Sequence, residues 1–147
     1  MSKSFSRNLY DQYNNHGIQV ATDFLAQQGY EVINTEEAYK SHDFIVRKDN
    51  KNYKVEVEVK TCWKTTEFPY STVSVPYRKK DSQADYYIMT NPAGSALFFI
   101  PMTQVKSAPV IRKNTVYTTN EPFFSVETTD FSHFHKEENT WVKTNVL

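Results

Sequence analysis

The stretch Lys54-Val55-Glu56-Val57-Glu58-Val59-Lys60-Thr61 alternates charge with valine from Lys54 to Lys60. A period of two is that of a β-strand, whose successive side chains point to opposite faces. One face is therefore all valine, and the other carries Glu56, Glu58 and Lys60 in a row. A strand in water needs a polar side, but it does not need two carboxylates and an amine at strict spacing. The segment before it, "HDFIVRK" at 42–48, reads as a second strand. "DNKN" at 49–52 is a turn-forming cluster between them. With Asn50 and Lys51 at the tip, Phe44 faces Val57 and Val46 faces Val55, an apolar face suited to packing on a helix. A shift of one residue would set charges against valines, so the pattern selects against it. On the other face Asp43 then lies across from Glu58, with Cβ atoms roughly 4.5–5.5 Å apart.

Two carboxylates that close repel, and either one takes up a proton or the sheet is destabilised. A divalent cation removes the conflict. Mg²⁺ prefers oxygen ligands and often uses only one or two carboxylates, with water and phosphate oxygens completing its shell. Lys60 stands one pleat beyond Glu58, where its ammonium reaches a phosphate or orients a water. A metal that polarises a phosphate and activates water, with a cation beside it, is what phosphodiester hydrolysis needs. The same residues also describe a solvated strand face of charge pairs. The matched register, the helix upstream and the basic stretch downstream favour the site.

Upstream of these strands, residues 6–28 predict a helix capped by Ser6. Leu9, Tyr13, Gly17, Val20, Ala21, Phe24 and Leu25 form its apolar stripe, and Gly29 ends it. A short strand follows at 30–35. The strand carrying the charged face is read as 53–63. "VSVPYRKKDSQ" at 73–83 begins extended and turns into a short helix or turn, because Pro76 disfavours a long strand. "ADYYIMT" and "SALFFIPM" read as strands joined by "NPAGS". A helical turn is expected from Thr103, a strand near "PFFSVET", and a turn of helix around "DFSHFHK". One long helix, then strands, then mixed elements predict an α/β or α+β fold with a mixed central sheet flanked by helices. At 147 residues the chain is one domain, with a core over about 6–105 and a C-terminal extension over 106–147.

The single cysteine, Cys62, excludes an internal disulfide and suits a reducing compartment. No apolar run approaches the ~18 residues of a membrane span. A soluble, cytoplasmic protein with no membrane partner is therefore expected. Net charge is zero but unevenly spread: residues 1–37 carry −3, residues 38–113 carry +6 and residues 114–147 carry −3. A positive centre between acidic ends steers a polyanion even when the total is zero.

With these residues in view, the sequence resembles the PD-(D/E)XK nuclease superfamily. "HDFIV" with Asp43 and "VEVKT" with Glu58 and Lys60 are similar to its two core motifs. Ala21, Leu25 and Gly29 match the spacing of its upstream helix, and "VPYRKKDSQADYYIMTN" before an apolar strand is similar to the small resolvase-like and homing-endonuclease-like branches. The resemblance covers about residues 6–105 and implies a restriction-endonuclease-like core. It implies Mg²⁺, with Mn²⁺ as a substitute, held by Asp43, Glu58 and the main-chain carbonyl of Val59, and Lys60 as the catalytic lysine. The implied activity is a metal-dependent endodeoxyribonuclease acting on a specific duplex site or on branched (Holliday-junction) DNA. Products with 5′-phosphate and 3′-hydroxyl ends follow from the same resemblance. His42 stands where the family has proline. Gly17 is followed by Ile18, where many members carry a glutamate. Gln12, His16, Gln19 and Asp23 line that border of the helix, and Gln19 or His16, with Glu56, are the accessory candidates.

Lys64, Ser74, Arg78, Lys79 and Lys80 are candidates for phosphate contacts, which give affinity and salt dependence but no sequence reading. Tyr70, Ser71 and Thr72 are candidate groove residues; strand-edge polarity explains them as well. Trp63 and Phe68 are read as packing beneath a loop, with stacking on a base as the alternative. His133 and His135 lack the further ligands of a zinc site, and Cys62 is read as a half-buried strand residue. A chain this small, cutting two strands, predicts a homodimer or larger symmetric assembly. A stand-alone nuclease of this kind suits a phage or mobile element. The alternative function is a non-catalytic nucleic-acid-binding or assembly protein that keeps the nuclease fold.

Overall fold

The computed structural model describes residues 7–34 and 44–144, with the backbone alone at 7–15 and 34. Helix α1 spans Arg7–Gln27. It buries Val20, Ala21, Phe24 and Leu25 on one face. Each large apolar side chain so buried is worth about 1.5–3 kcal/mol. Gly29, at φ 92°, ends the helix where the sequence places the stop. The Gly29 N–H donates to the Ala26 carbonyl at 3.1 Å and the Tyr30 N–H to the Leu25 carbonyl at 2.9 Å. This pair of bonds is a Schellman motif, which needs a left-handed residue that glycine adopts without strain. The proposed cap, Ser6, lies outside the described residues, as do the side chains of Leu9 and Tyr13.

Strands β1 (Glu31–Asn34), β2 (Phe44–Lys48) and β3 (Lys51–Val59) form an antiparallel meander. The hairpin register differs from the expected one. Phe44 pairs with Val55 and Lys48 with Lys51, so the tip is Asp49–Asn50. Both tip residues have positive φ, 53° and 64°. A two-residue hairpin of this twist demands left-handed backbone at both central positions, which Asp and Asn adopt more readily than Lys. The shift is two residues, so every side chain keeps its face. The two lysines set opposite each other do not collide, because the Lys48 ammonium turns to the Gln28 carbonyl at 3.1 Å and sits 4.8 Å from the centre of the Tyr30 ring.

The chain continues through β4 (Thr72–Pro76), a 3-10 turn (Tyr77–Asp81), β5 (Tyr86–Thr90), β6 (Ala96–Pro101) and the short helix α2 (Met102–Lys106). These match the expected order. The remainder supplies β7 (Val110–Lys113), β8 (Glu121–Glu127), β9 (Ser132–Glu137) and β10 (Thr140–Lys143). A seven-stranded sheet has the order β1-β2-β3-β5-β6-β9-β10, and a three-stranded sheet the order β4-β8-β7. Only the β3–β5 pairing is parallel among the described strands. The class is mixed α+β.

α1 covers one face of the large sheet, against Phe44, Val46, Val55, Ile88 and Leu97. The other face is covered by the small sheet, not by helices as expected. Tyr87, Met89, Phe98 and Ile100 from the large sheet pack there on Val73, Val75, Phe124 and Val126. The segment between β3 and β5 alternates valine with small polar residues and carries prolines at 69 and 76. That composition disfavours a crossover helix and suits pairing with β8. Adjacent aromatics straddle the large sheet as the sequence implies. Tyr86 and Phe99 face α1, and Tyr87 and Phe98 face the small sheet.

The segment "SHFHKE", expected as helix, is β9. The His133 ring lies 4.2 Å from that of Phe98, tilted to it, and Phe134 meets Phe24 edge-on at 4.7 Å. Adjacent residues thus bury into opposite layers, which only a period of two allows. The strands between residues 110 and 143 therefore complete both sheets, and Trp141 on β10 joins Phe24 at 5.7 Å. No helix among the described residues is long and apolar enough to cross a membrane.

Candidate active site and adjoining groove

β3 presents its valines to α1 and its charged residues to the layer under the small sheet. Gly17 of α1 lies over the valine face so closely that a Cβ there would meet Val59 Cγ2 at 2.9 Å and Val57 Cγ1 at 3.1 Å. On the opposite face, parallel pairing sets Tyr87 beside Glu56 and Met89 beside Glu58. The Tyr87 hydroxyl donates to Glu58 Oε2. Burial, reinforced by the negative charge of Glu58 and the hydrogen bond to it, pushes the Tyr87 phenol well above its ordinary value.

The Lys60 ammonium lies 3.3 Å from Glu58 Oε2 and donates to the Ser74 carbonyl at 2.8 Å. Glu58 and Lys60 are thus together on one face, as the alternation predicts. The rung expected to join Asp43 to Glu58 belongs to the register that the hairpin does not adopt. Asp43 itself lies outside the described residues. Val59 ends β3, and the chain then turns, with the Trp63 N–H on the Lys60 carbonyl at 3.1 Å. The strand therefore stops short of residue 63, and Cys62 is exposed rather than half-buried. Trp63 is fully buried against Phe98 and Phe68, so it packs and does not stack on a ligand.

The accessory candidates have other neighbours. Glu56 is buried, and Lys79 Nζ sits 2.9 Å from its Oε2, close enough to pair but off the direction of a hydrogen bond. Half-buried His16 faces the β5–β6 turn, where a Cβ on Gly94 would come within 3.4 Å of its Nε2. His16 and exposed Gln19 both ride on α1, whose contacts with β3 are on the valine face. Among the candidate phosphate contacts, Lys79 is thus held by Glu56, and Lys80 pairs with Asp81 at 2.9 Å. Arg78 and Lys64 are exposed. His133 Nε2 meets the Thr128 carbonyl at 2.7 Å and His135 Nδ1 the Thr144 hydroxyl at 2.6 Å. Among the described residues no three His, Cys, Asp or Glu side chains group to hold a metal. Glu58 is the carboxylate there that fits a hard cation, its side chain 31% exposed, and Mg²⁺ often takes only one or two.

Lys60 opens onto a groove of about 460 Å³. Tyr70, Thr72, Ser74, Ile111 and Lys113 line it further. Lys113 Nζ donates to Ser74 Oγ at 2.7 Å, so two ammonium groups converge on one serine. Sequence reasoning missed Lys113 and Ile111. They lie on β7, and Lys113 is 39 residues from Ser74, joined to it only through the order β4-β8-β7.

Two results are expected here. Tyr87→Phe removes the donor to a carboxylate and should cost about 1.5–3 kcal/mol at pH 8. The folded chain holds the Tyr87 proton to higher pH than the unfolded chain does. Wild-type stability is therefore fully present below about pH 10 and falls as pH rises beyond it. Burial likewise pushes Tyr30 up to about 12, and that slope is common to both proteins. Urea unfolding at pH 8 and pH 11 should show the gap between wild type and Tyr87→Phe closing at the higher pH. Lys79→Ala should lower stability by about 3 kcal/mol, because it leaves a buried carboxylate unpaired. If the expected DNA binding is found, its salt dependence should match wild type; a salt slope reduced by about one would show Lys79 to contact phosphate instead.

No protein-family model matches the chain, and no curated protein or solved structure matches it.

Proposed function

We propose that the chain is a Mg²⁺-dependent endodeoxyribonuclease on a restriction-endonuclease-like core, with Glu58 and Lys60 at its centre. The observation that carries this reading is the Lys60 ammonium, held 3.3 Å from the Glu58 carboxylate at the mouth of a cationic groove. Glu58 and the Val59 carbonyl would hold the cation, with Asp43 as the further ligand that the resemblance implies. When bound, it supplies Lewis-acid polarisation of the phosphate and lowers the pKa of water. Tyr87 and Lys60 fix the Glu58 carboxylate, so its orientation precedes substrate binding. Lys60 orients the attacking water and offsets charge that develops on the phosphoryl oxygens. The water oxygen bonds to phosphorus and the phosphorus–O3′ bond breaks. The attacking water gives up one proton to solvent and the departing O3′ takes one from solvent, leaving 5′-phosphate and 3′-hydroxyl ends. A homodimer or larger symmetric assembly inside the cell, serving a phage or mobile element, would bring two such centres to two strands.

A second reading is a non-catalytic nucleic-acid-binding or assembly protein on the same fold. One observation favours it: Glu58 Oε2 already takes both the Tyr87 hydroxyl and the Lys60 ammonium. The test is a cleavage panel of linear duplex, single-stranded and four-way-junction DNA with Mg²⁺ or Mn²⁺, and with EDTA. Cleavage in metal that EDTA abolishes is expected. Binding without cleavage under every condition makes the second reading the better one.

A further inference from the structure

The groove beside Lys60 is built by residues outside the charged strand and has both an aromatic and a cationic wall. Tyr70 is 61% exposed, and Phe68 backs it edge-on at 5.9 Å. Phe68 in turn packs on buried Trp63 at 5.4 Å, so the exposed ring stands on a fixed base. Lys60 and Lys113 line the same groove, and their ammonium groups flank Ser74. A cavity of about 460 Å³ is within the size that holds one small ligand.

We infer that this groove takes an unpaired nucleotide, its base stacked on Tyr70 and its phosphate between Lys60 and Lys113. An aromatic face with flanking lysines is the chemistry that binds single-stranded nucleic acid, because every base has a stacking face and every phosphate a charge. In an intact duplex the bases are stacked on each other, and one reaches such a pocket only if extruded. The inference deepens the nuclease reading and rests on it for placing the scissile strand: it makes single-stranded DNA, or DNA with single-stranded arms, the preferred substrate class over continuous duplex.

The test is binding in EDTA, which needs no catalysis. A fluorescein-labelled oligothymidylate of twelve residues is titrated in parallel with a duplex of equal length. The single strand should bind more tightly. Tyr70→Ala should weaken it about 5- to 100-fold, and Tyr70→Phe should restore it, since stacking needs the ring and not the hydroxyl. Lys113→Ala should weaken both probes and lower the salt slope by about one. Equal binding of duplex and single strand, or an affinity unmoved by Tyr70→Ala, overturns the inference. If duplex cleavage in Mn²⁺ depends on Lys60 while Tyr70→Ala and Lys113→Ala leave single-strand binding unchanged, the groove assignment falls and the nuclease reading stands. If the oligothymidylate binds through Tyr70 and nothing is cut, the groove stands and the nuclease reading falls.

Discussion

Lys60→Ala should reduce DNA cleavage by at least about 100- to 1000-fold, the loss typical of removing one preorganised charge from a reacting centre. The fold should survive. The variant gives up a hydrogen bond to the Ser74 carbonyl and an ion pair with partly exposed Glu58, together about 1–2 kcal/mol. On the nuclease reading DNA affinity should fall less than about tenfold, since a single phosphate contact is lost. The measurement pairs single-turnover cleavage in Mn²⁺ with fluorescence anisotropy in EDTA. Cleavage at the wild-type rate by Lys60→Ala would remove the lysine from the chemistry. A collapse of affinity to match the activity would make it a binding residue. Glu58→Gln is the complementary variant. It keeps the shape of the side chain and removes its charge, so a raised Mn²⁺ requirement is its expected signature.

Trp63→Ala should lower stability by about 3–5 kcal/mol, against the roughly 5–15 kcal/mol that holds a typical domain together. The indole is fully buried, 4.4 Å from the Phe98 ring and 5.4 Å from Phe68. Its removal opens a cavity between the two sheets at the point where β3 turns away. For a chain of this length each kcal/mol moves the melting point by about 2–4 °C, so a drop on the order of 10–15 °C should appear in thermal scans by circular dichroism. Trp63→Phe should lose far less. It keeps a ring, and the indole N–H it deletes is buried with no acceptor among the described residues, so no hydrogen bond to them goes with it. The alanine variant should also weaken single-strand binding, because Phe68 and Tyr70 lose their support. A change below about 1 kcal/mol for Trp63→Ala would mean that the ring is not part of the core.

The charged face was legible because it is local. Alternation places Glu56, Glu58 and Lys60 on one side of β3 whatever the rest of the chain does, and a register error of two residues leaves that unchanged. The error itself has a local cause. The turn was centred on Asn50–Lys51, whereas the twist of a two-residue hairpin selects the pair able to hold positive φ, Asp49–Asn50. The helix stop at Gly29 was legible for the same kind of reason, one residue whose backbone freedom the end of a helix uses. His133 and Phe134 were not read as strand because their burial in opposite layers depends on there being two layers. Lys79 was read as a phosphate contact because nothing near it in sequence shows that Glu56 is buried.

The residue pattern alone carries the long helix and its end, the two-faced strand, the straddling aromatic pairs and the juxtaposition of Glu58 with Lys60. Each follows from backbone periodicity acting over fewer than about ten residues at a time. Tertiary structure alone decided that a second sheet, not a helix, covers the charged face. It tied Lys79 to Glu56, set Tyr87 against Glu58, and brought Lys113 of β7 to Ser74 of β4 through β8 between them. Strand order is chosen by which apolar faces bury each other best across the whole chain, a quantity that no local pattern contains.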